Sequence, residues 1–530
     1  MPTLQDHGRL GLLLHDTFVL DSHGHFGGTF RFDIPHRTPA QLLAIMDRVG
    51  IDVLCVSHLL SLTGDPRRGN DLLAQALRDH PGRFIGYAVA NPHDGDGIEA
   101  ELNRCFATPG FRGVKTHQLW HDYPTEGPGY QRMYRWAAER RVPVLGHSFG
   151  DAAATERIAR AYPDVSFIVA HVGGAYHGRF PVRLIDLARE LDNVYLDLCS
   201  SLGYFGGLEA LVQRVGPDKI LYASDMTFMS ASHQIGRVLF AEIAEETKRK
   251  ILGLNAARLL GVQPAIVKPS QPADRERLTL FDANCAIGGV AATPPGWPAD
   301  AAGLLRVMDR VGIDEALVHH TAAEHHDAAL GNEWLLEQTR DQPRLHPCWV
   351  VNPHHAGEMP APPALLQAMQ RSAVRCVRIF INRIGSLRPI VYGELFAAMA
   401  QAGVVTLLDF ELGHYHQQPA AIDWDGLDRL LGEHPRLPVI LPRAGQGMDR
   451  TLFAFLRRHR NLHLEMSYYL GTGGIERLCD AFGPERLVFG TAMPRHEPGT
   501  AVTLLTYSGV PENAKRLIAG ENLRRLLAIS

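Results

Sequence analysis

Two rhythms alternate along this chain. Short, nearly continuous apolar runs occur at residues 17–20, 52–57, 84–89, 113–115, 143–147, 166–171, 194–197 and 219–225. Such runs are expected of strands covered on both faces, as in a parallel sheet flanked by helices. Between them apolar residues return at helical spacing. The clearest helix starts after Thr38, which is placed to cap it, has Pro39 in its first turn and stops at Gly50, each a residue with a stereochemical reason to stand there. Residues 70–79, 129–140 and 156–161 read as further helices. About eight strand–helix units in about 250 residues predict a (β/α)8 barrel, an α/β fold of the TIM type. A doubly wound open sheet is the alternative, and eight units favour closure.

The rhythm breaks after Gly261, where Pro264, Pro269 and Pro272 interrupt a stretch without periodicity, as in a linker. Beyond the linker the chain repeats itself. Met46-Asp47-Arg48-Val49-Gly50-Ile51-Asp52 returns letter for letter as Met308-Asp309-Arg310-Val311-Gly312-Ile313-Asp314, and Asn91-Pro92-His93 as Asn352-Pro353-His354. Gly216-Pro217-Asp218-Lys219 matches Gly483-Pro484-Glu485-Arg486, and Asn255 matches Asn522. A spacing of about 260 residues is far too long for a solenoid and marks a duplicated domain. The expected organisation is an N-terminal extension (1–15), a first barrel (16–262), a linker (263–277) and a second barrel (278–530).

Composition narrows the partners. The chain of 530 residues is 45% hydrophobic and 21% charged, with a net charge of −4, so neither a nucleic-acid-binding face nor a basic membrane-attachment surface is expected. Seven scattered cysteines without a Cys-x-x-Cys read as reduced thiols rather than a disulfide or zinc framework. The apolar residues 11–14 are cut short by His15-Asp16, no run is long enough to span a bilayer, and a cytoplasmic protein is expected.

Chemistry in such a barrel belongs at the ends of the strands. There the first half carries His23 and His25, Lys115 with His117 two residues on, His147, His171 and Asp225. A lone histidine after a strand is ordinarily a packing residue. Seven such groups converging on one mouth are costly to bury unless paired or metal-bound. Imidazoles with a carboxylate suit a divalent ion, zinc first, with manganese or iron as alternatives.

The order His-x-His, Lys, His, His, Asp on successive strand ends resembles the metal-dependent amidohydrolase superfamily. Gly110-Phe111-Arg112-Gly113-Val114-Lys115-Thr116-His117, Ala170-His171-Val172-Gly173-Gly174 and Tyr222-Ala223-Ser224-Asp225 resemble most its amidohydrolase-related branch, which includes aminocarboxymuconate-semialdehyde decarboxylase. The resemblance implies that His23, His25, His147 and Asp225 hold one metal, that Asp225 also moves protons, and that His171 polarises the substrate or acts as acid and base. It leaves Lys115 either carbamylated and bridging a second metal or an ammonium beside an anionic group. His117, Trp120, His121, His177 and Arg179, on the loops beyond, are the expected contacts of a small-molecule substrate.

In the second copy His23 falls on Asn284, His25 on Ala286, Lys115 on Arg378, His147 on or near Asp409, His171 on Arg443 and Asp225 on Ala492. No imidazole survives at these places and two arginines would repel a cation, so the second barrel is expected to be non-catalytic, structural or site-completing. The counter-reading is a metal-free site in which Arg378, Arg443 and Asp409 bind an anion. His325-His326-Asp327 and His414-Tyr415-His416 read as loop histidines. The leading functional expectation is hydrolysis of a C–N or C–O bond by metal-activated water; decarboxylation of a small carboxylic acid is the alternative. A ligand-binding or scaffold protein is the alternative of another class. Fusion of an ancestral homodimer would make the chain an intramolecular pseudo-dimer, open to further self-association.

Overall fold

The computed structural model describes residues 2–147, 149–174, 181–199, 203–271, 275–291, 296–411 and 422–529. Two compact units divide the chain, residues 1–203 with 207–275 and residues 204–206 with 276–530. The first holds β1 (Leu20–Phe26), β2 (Val53–His58), β3 (Phe84–Ala88), β4 (Phe111–Thr116), β5 (Val144–Gly146), β6 (Phe167–Val169), β7 (Val194–Asp197) and β8 (Ile220–Leu221). The second holds β9 (Phe281–Ile287), β10 (Glu315–His320), β11 (Leu345–Val350), β12 (Cys376–Phe380), β13 (Val405–Asp409), β14 (Val439–Leu441), β15 (Leu462–Glu465) and β16 (Leu487–Val488). In each unit the strands neighbour one another in chain order, and the ladders are parallel. Order without a reversal is that of a barrel wound one way, and it eliminates the doubly wound sheet.

The seam between last and first strand is closed by a few bonds. Ser22 N–H donates to Tyr222 O at 3.0 Å and Asp225 N–H to His23 O at 2.9 Å, beside a bridge between Gly24 and Met226. In the second unit Ala283 N–H donates to Phe489 O at 2.9 Å and Cys285 bridges to Met493. The molecule is thus two tandem (β/α)8 barrels. Leu20, Val53, Ile85, Leu145, Ile168 and Leu221 pack in the core of the first with Ala256, Ala257 and Leu260. Phe281, Leu317, Val405, Leu407, Ile440 and Val488 do the same in the second with Leu523 and Leu527.

The repeated motifs turn out to tie strand entries to the scaffold. The helix Pro39–Val49 ends at Gly50 with φ +85° and the helix Ala301–Val311 at Gly312 with φ +88°, a conformation that glycine adopts without penalty. Just beyond, Asp52 accepts the N–H of Val19 at 2.8 Å and Asp314 that of Leu280 at 2.8 Å. Asn255 Nδ2 donates to Pro217 O and Ile220 O, and Asn522 Nδ2 to Pro484 O and Leu487 O, all at 2.8–2.9 Å.

Two strands differ most from their apolar runs. Residues 17–20 are only the entry to β1, which continues through both histidines to Phe26, because Asp21 satisfies the N–H groups of His23 and Ser224 inside the barrel. The run 219–225 shrinks to Ile220–Leu221, since the N–H of Tyr222 already goes to Ile251 O, outside the sheet, at 2.9 Å. Described residues between 263 and 275 form neither helix nor strand, yet Lys268 is anchored on the buried Asp52 at 2.8 Å. Among the described residues no helix is long and apolar enough to cross a membrane. All seven cysteines are free thiols, six of them buried.

Candidate metal centre

Three side chains converge at the strand ends of the first barrel. His23 Nε2 lies 3.2 Å from His25 Nε2, and Asp225 Oδ1 lies 3.4 Å from His25 Nε2 and 4.0 Å from His23 Nε2. The histidines flank Gly24 on one strand, so both rings leave the same face. A Cβ at Gly24 would stand 2.8 Å from Leu54 Cδ1 and 3.0 Å from Met226 O, so a side chain there would press on the closing seam.

The outer ring nitrogens are held. His23 Nδ1 is 2.9 Å from Asp197 Oδ2 and His25 Nδ1 is 2.9 Å from Ser57 Oγ. A carboxylate acceptor keeps the proton of His23 on Nδ1 and leaves a lone pair on Nε2, the arrangement found behind metal-bound histidines. Lys115 Nζ, 2.7 Å away, donates to that lone pair. Lone pairs facing one another beside a carboxylate call for a cation. Bonds of about 2.0–2.2 Å put tetrahedral ligands roughly 3.3–3.6 Å apart, close to the two shorter separations. The donor set therefore fits a divalent ion taken by His23 and His25 through Nε2 and by Asp225 through oxygen.

Electrostatics agrees with neutral imidazoles. Burial, assisted by Lys115, pushes His23 down to about 3 and lowers His25. Burial also brings Lys115 down to about 8, opposed by Asp197 and Asp225. Burial alone would raise Asp225, but His25, His23 and His171 hold it below the usual carboxylate range. A second grouping, His23, His171 and Cys199, brings donor atoms within 4.8 Å of one another. There Cys199 Sγ donates to Asp197 at 2.9 Å and burial pushes the thiol far up, so it acts as a neutral donor rather than a thiolate.

His171 is oriented by its N–H to Asp197 Oδ1 at 2.8 Å, and its Nε2 lies 3.1 Å from His147 Nδ1. The half-buried His147 is not gathered with the three donors; it faces His171 and stacks on His117 at 4.1 Å. His117 in turn stacks on Trp120 at 4.2 Å, and Phe228 packs edge-on against His25. Together they make an aromatic wall beside the donors. His121 is engaged by Tyr130, while His177 and Arg179 lie outside the described residues. Sequence reasoning missed Asp197 and Ser57, although each ends an apolar run as the recognised residues do.

The second barrel keeps the frame and exchanges the chemistry. Lys115 pairs across β4 and β5 with Leu145 as Arg378 pairs across β12 and β13 with Leu407, which makes Asp409 the counterpart of His147. Asn284 Nδ2 donates to Glu465 Oε2 at 2.7 Å, as His23 leans on Asp197. Arg378 donates from Nε to Asp409 Oδ2 at 3.1 Å and from Nη1 to Asn284 Oδ1 at 2.8 Å; Arg443 pairs with the same Asp409 oxygen at 3.4 Å. Burial pushes Glu465 up to about 7 and raises Asp282. Among the described residues this barrel has no metal-ligand grouping. His319, unrecognised in the sequence, lies 3.1 Å from Glu324. The residues around 325 do not form the expected loop: His325 ends the helix Thr321–His325 and Asp327 caps the helix Ala328–Thr339, because Asp327 supplies the acceptor that a helix start needs. His414-Tyr415-His416 lies outside the described residues.

An amidohydrolase family model matches residues 21–262 and again residues 288–529. The chain belongs to the amidohydrolase family. Among curated relatives, gamma-resorcylate decarboxylase of Rhizobium radiobacter is 23% identical over 310 residues, 45% of this chain and 93% of the relative. The enzyme of that name from Rhizobium sp. (strain MTP-10005) is 22% identical over 316 residues, 46% of this chain and 94% of its own. A solved structure of 2,6-dihydroxybenzoate decarboxylase with 2,6-dihydroxybenzoate is 20% identical with a TM-score of 0.38, covering 47% of this chain and 99% of that one. A dihydroxybenzoic acid decarboxylase from Polaromonas sp. JS666, with bound manganese and 2-nitroresorcinol, is 19% identical with a TM-score of 0.38, over 46% and 97%.

Proposed function

We propose that the first barrel is a metal-dependent, non-oxidative decarboxylase of a small hydroxylated aromatic acid. The observation that carries this reading is the buried His23–His25–Asp225 donor set beside the wall of Trp120, His117 and His147. An aromatic wall suits a planar ring. Of the two chemistries weighed from the sequence, the activity named for the curated relatives favours decarboxylation over hydrolysis.

A divalent ion, zinc or manganese, when bound by His23, His25 and Asp225 supplies charge stabilisation to an anionic substrate. His147 is proposed to complete the ligand set or to face the substrate. Asp225, a carboxylate at rest, takes a proton from a water molecule and passes it to the ring carbon that bears the carboxylate. The carbon–carbon bond then breaks, its electron pair restores the aromatic ring, and carbon dioxide leaves. His171, held by Asp197 through its backbone, hydrogen-bonds the leaving carboxylate, and Lys115 as an ammonium balances the negative charge. His117 and Trp120, and with them His177 and Arg179, are the proposed contacts of the substrate. The second barrel takes no part in metal chemistry, since Asn284, Ala286 and Ala492 offer no ligand set.

The test is product analysis. Metal-loaded protein is offered 2,6-dihydroxybenzoate and other ortho-hydroxybenzoates beside lactones and amides in 18O-water. Release of carbon dioxide without incorporation of label supports the reading; turnover confined to lactones or amides, with one labelled oxygen incorporated, sinks it.

A further inference from the structure

The mouth of the second barrel holds a charge that its neighbours do not balance. Asp409 is fully buried. Its Oδ1 accepts the N–H of Glu411 at 2.7 Å, and its Oδ2 takes both the Nε and Nη2 hydrogens of Arg378 as well as the ion pair from Arg443. One carboxylate thus serves two guanidinium ions. Arg378 is spent, because its remaining edge donates to Asn284. Arg443 is only 6% exposed, and its Nε has no hydrogen-bond partner among the described residues. A buried guanidinium N–H without an acceptor is costly, so it signals a missing partner.

The other charged groups around it have partners of their own. Arg383 and Arg495 face Glu324 and Glu411, and His319 is held neutral by burial. Glu465 and Asp282 are satisfied by Asn284, Ser467 and Thr491. Among the described residues Arg443 therefore shares its carboxylate partner with Arg378 and presents one positive charge on a planar fork, with Tyr468 nearby and the ring of Phe380 under Arg378 and Arg383. A dianionic phosphate would exceed that single charge, whereas a carboxylate presents one negative charge on two coplanar oxygens to a guanidinium edge.

We propose that the second barrel is a metal-independent binding site for a small organic monocarboxylate, anchored by Arg443. The proposal stands independently of the chemistry assigned to the first barrel.

The full-length protein is titrated calorimetrically with benzoate and with inorganic phosphate, and crystals are soaked in 4-bromobenzoate to locate bromine by anomalous scattering. The expected result is a bromine peak in the second mouth together with a solution site weakened roughly tenfold or more by Arg443→Gln and only partly restored by Arg443→Lys, which keeps the charge but lacks the fork. Should Arg443→Gln fail to fold by thermal melting, Arg443→Lys carries the comparison. The proposal is overturned by bromine absent from that mouth, by isotherms that the substitutions leave unchanged, by phosphate binding there more tightly than benzoate, or by occupancy at crystal concentration with no binding in solution.

Discussion

After the sixth strand of each barrel the backbone takes φ +58° at His171 and +60° at Arg443, and after the eighth +61° at Asp225 and +56° at Ala492. Left-handed φ costs a non-glycine residue about 1–3 kcal/mol, yet the same turn is made where an alanine stands in place of the carboxylate. The turn sits at the closing seam of each barrel, where Asp225 N–H donates to His23 O in the first and Ala286 N–H to Met493 O in the second, so it accompanies closure whether or not a ligand stands there. Strain at Asp225 is therefore no evidence of function by itself. What separates the mouths is the charge built on a common frame: imidazoles beside one carboxylate in the first, two guanidinium ions on one carboxylate in the second.

The comparison breaks most visibly at its centre. His23→Ala should empty the first barrel of metal and cost roughly a thousandfold in turnover, the several kcal/mol that a bound ion supplies; elemental analysis and a decarboxylation assay read both, and full metal retention would discredit the donor set. In the second barrel Asp409→Asn should destabilise the unit by about 3–5 kcal/mol, the usual consequence of leaving buried charges unpaired. Calorimetry would show the loss in one unfolding transition, and an unchanged melting profile would contradict the ion-pair account.

A smaller effect comes from pH. Burial raises Glu465 from an ordinary 4.5 to about 7 in the folded protein, so the folded state binds this proton more tightly. Its contribution is fully present below about pH 4.5, declines as the pH rises toward 7 and is lost above it, a total on the order of 3 kcal/mol. Denaturant titrations between pH 5 and 8 should show that slope, and Glu465→Gln should flatten it; parallel curves for the two proteins would refute the assignment. Its counterpart Asp197 sharpens the contrast least in energy but most in meaning. Asp197→Asn should weaken metal affinity about 10–100-fold by releasing the His23 ring, measured by competition with a chelator, and an unaltered affinity would leave Asp197 a packing residue.

Much of the fold is legible from residues alone. Capping at Thr38 and Gly50 and the duplicated Met-Asp-Arg-Val-Gly-Ile-Asp obey local rules, and local rules survive folding. Asp197 and Ser57 are not legible, because nothing in their own neighbourhood says that a ring from β1 will rest on them. The extent of β1 escapes the sequence for the same reason: polar residues continue a strand only when another strand supplies their partners.

Sequence by itself determined the two barrels, their family, and which copy has imidazoles at the positions of His23, His25, His147 and His171, since those depend on periodicity and residue type. Only the tertiary structure decided which nitrogens face one another, that His147 turns to His171, and that two arginines share one carboxylate. Those are matters of a few ångströms between residues up to two hundred positions apart, set by closure of the barrel rather than by any stretch of chain.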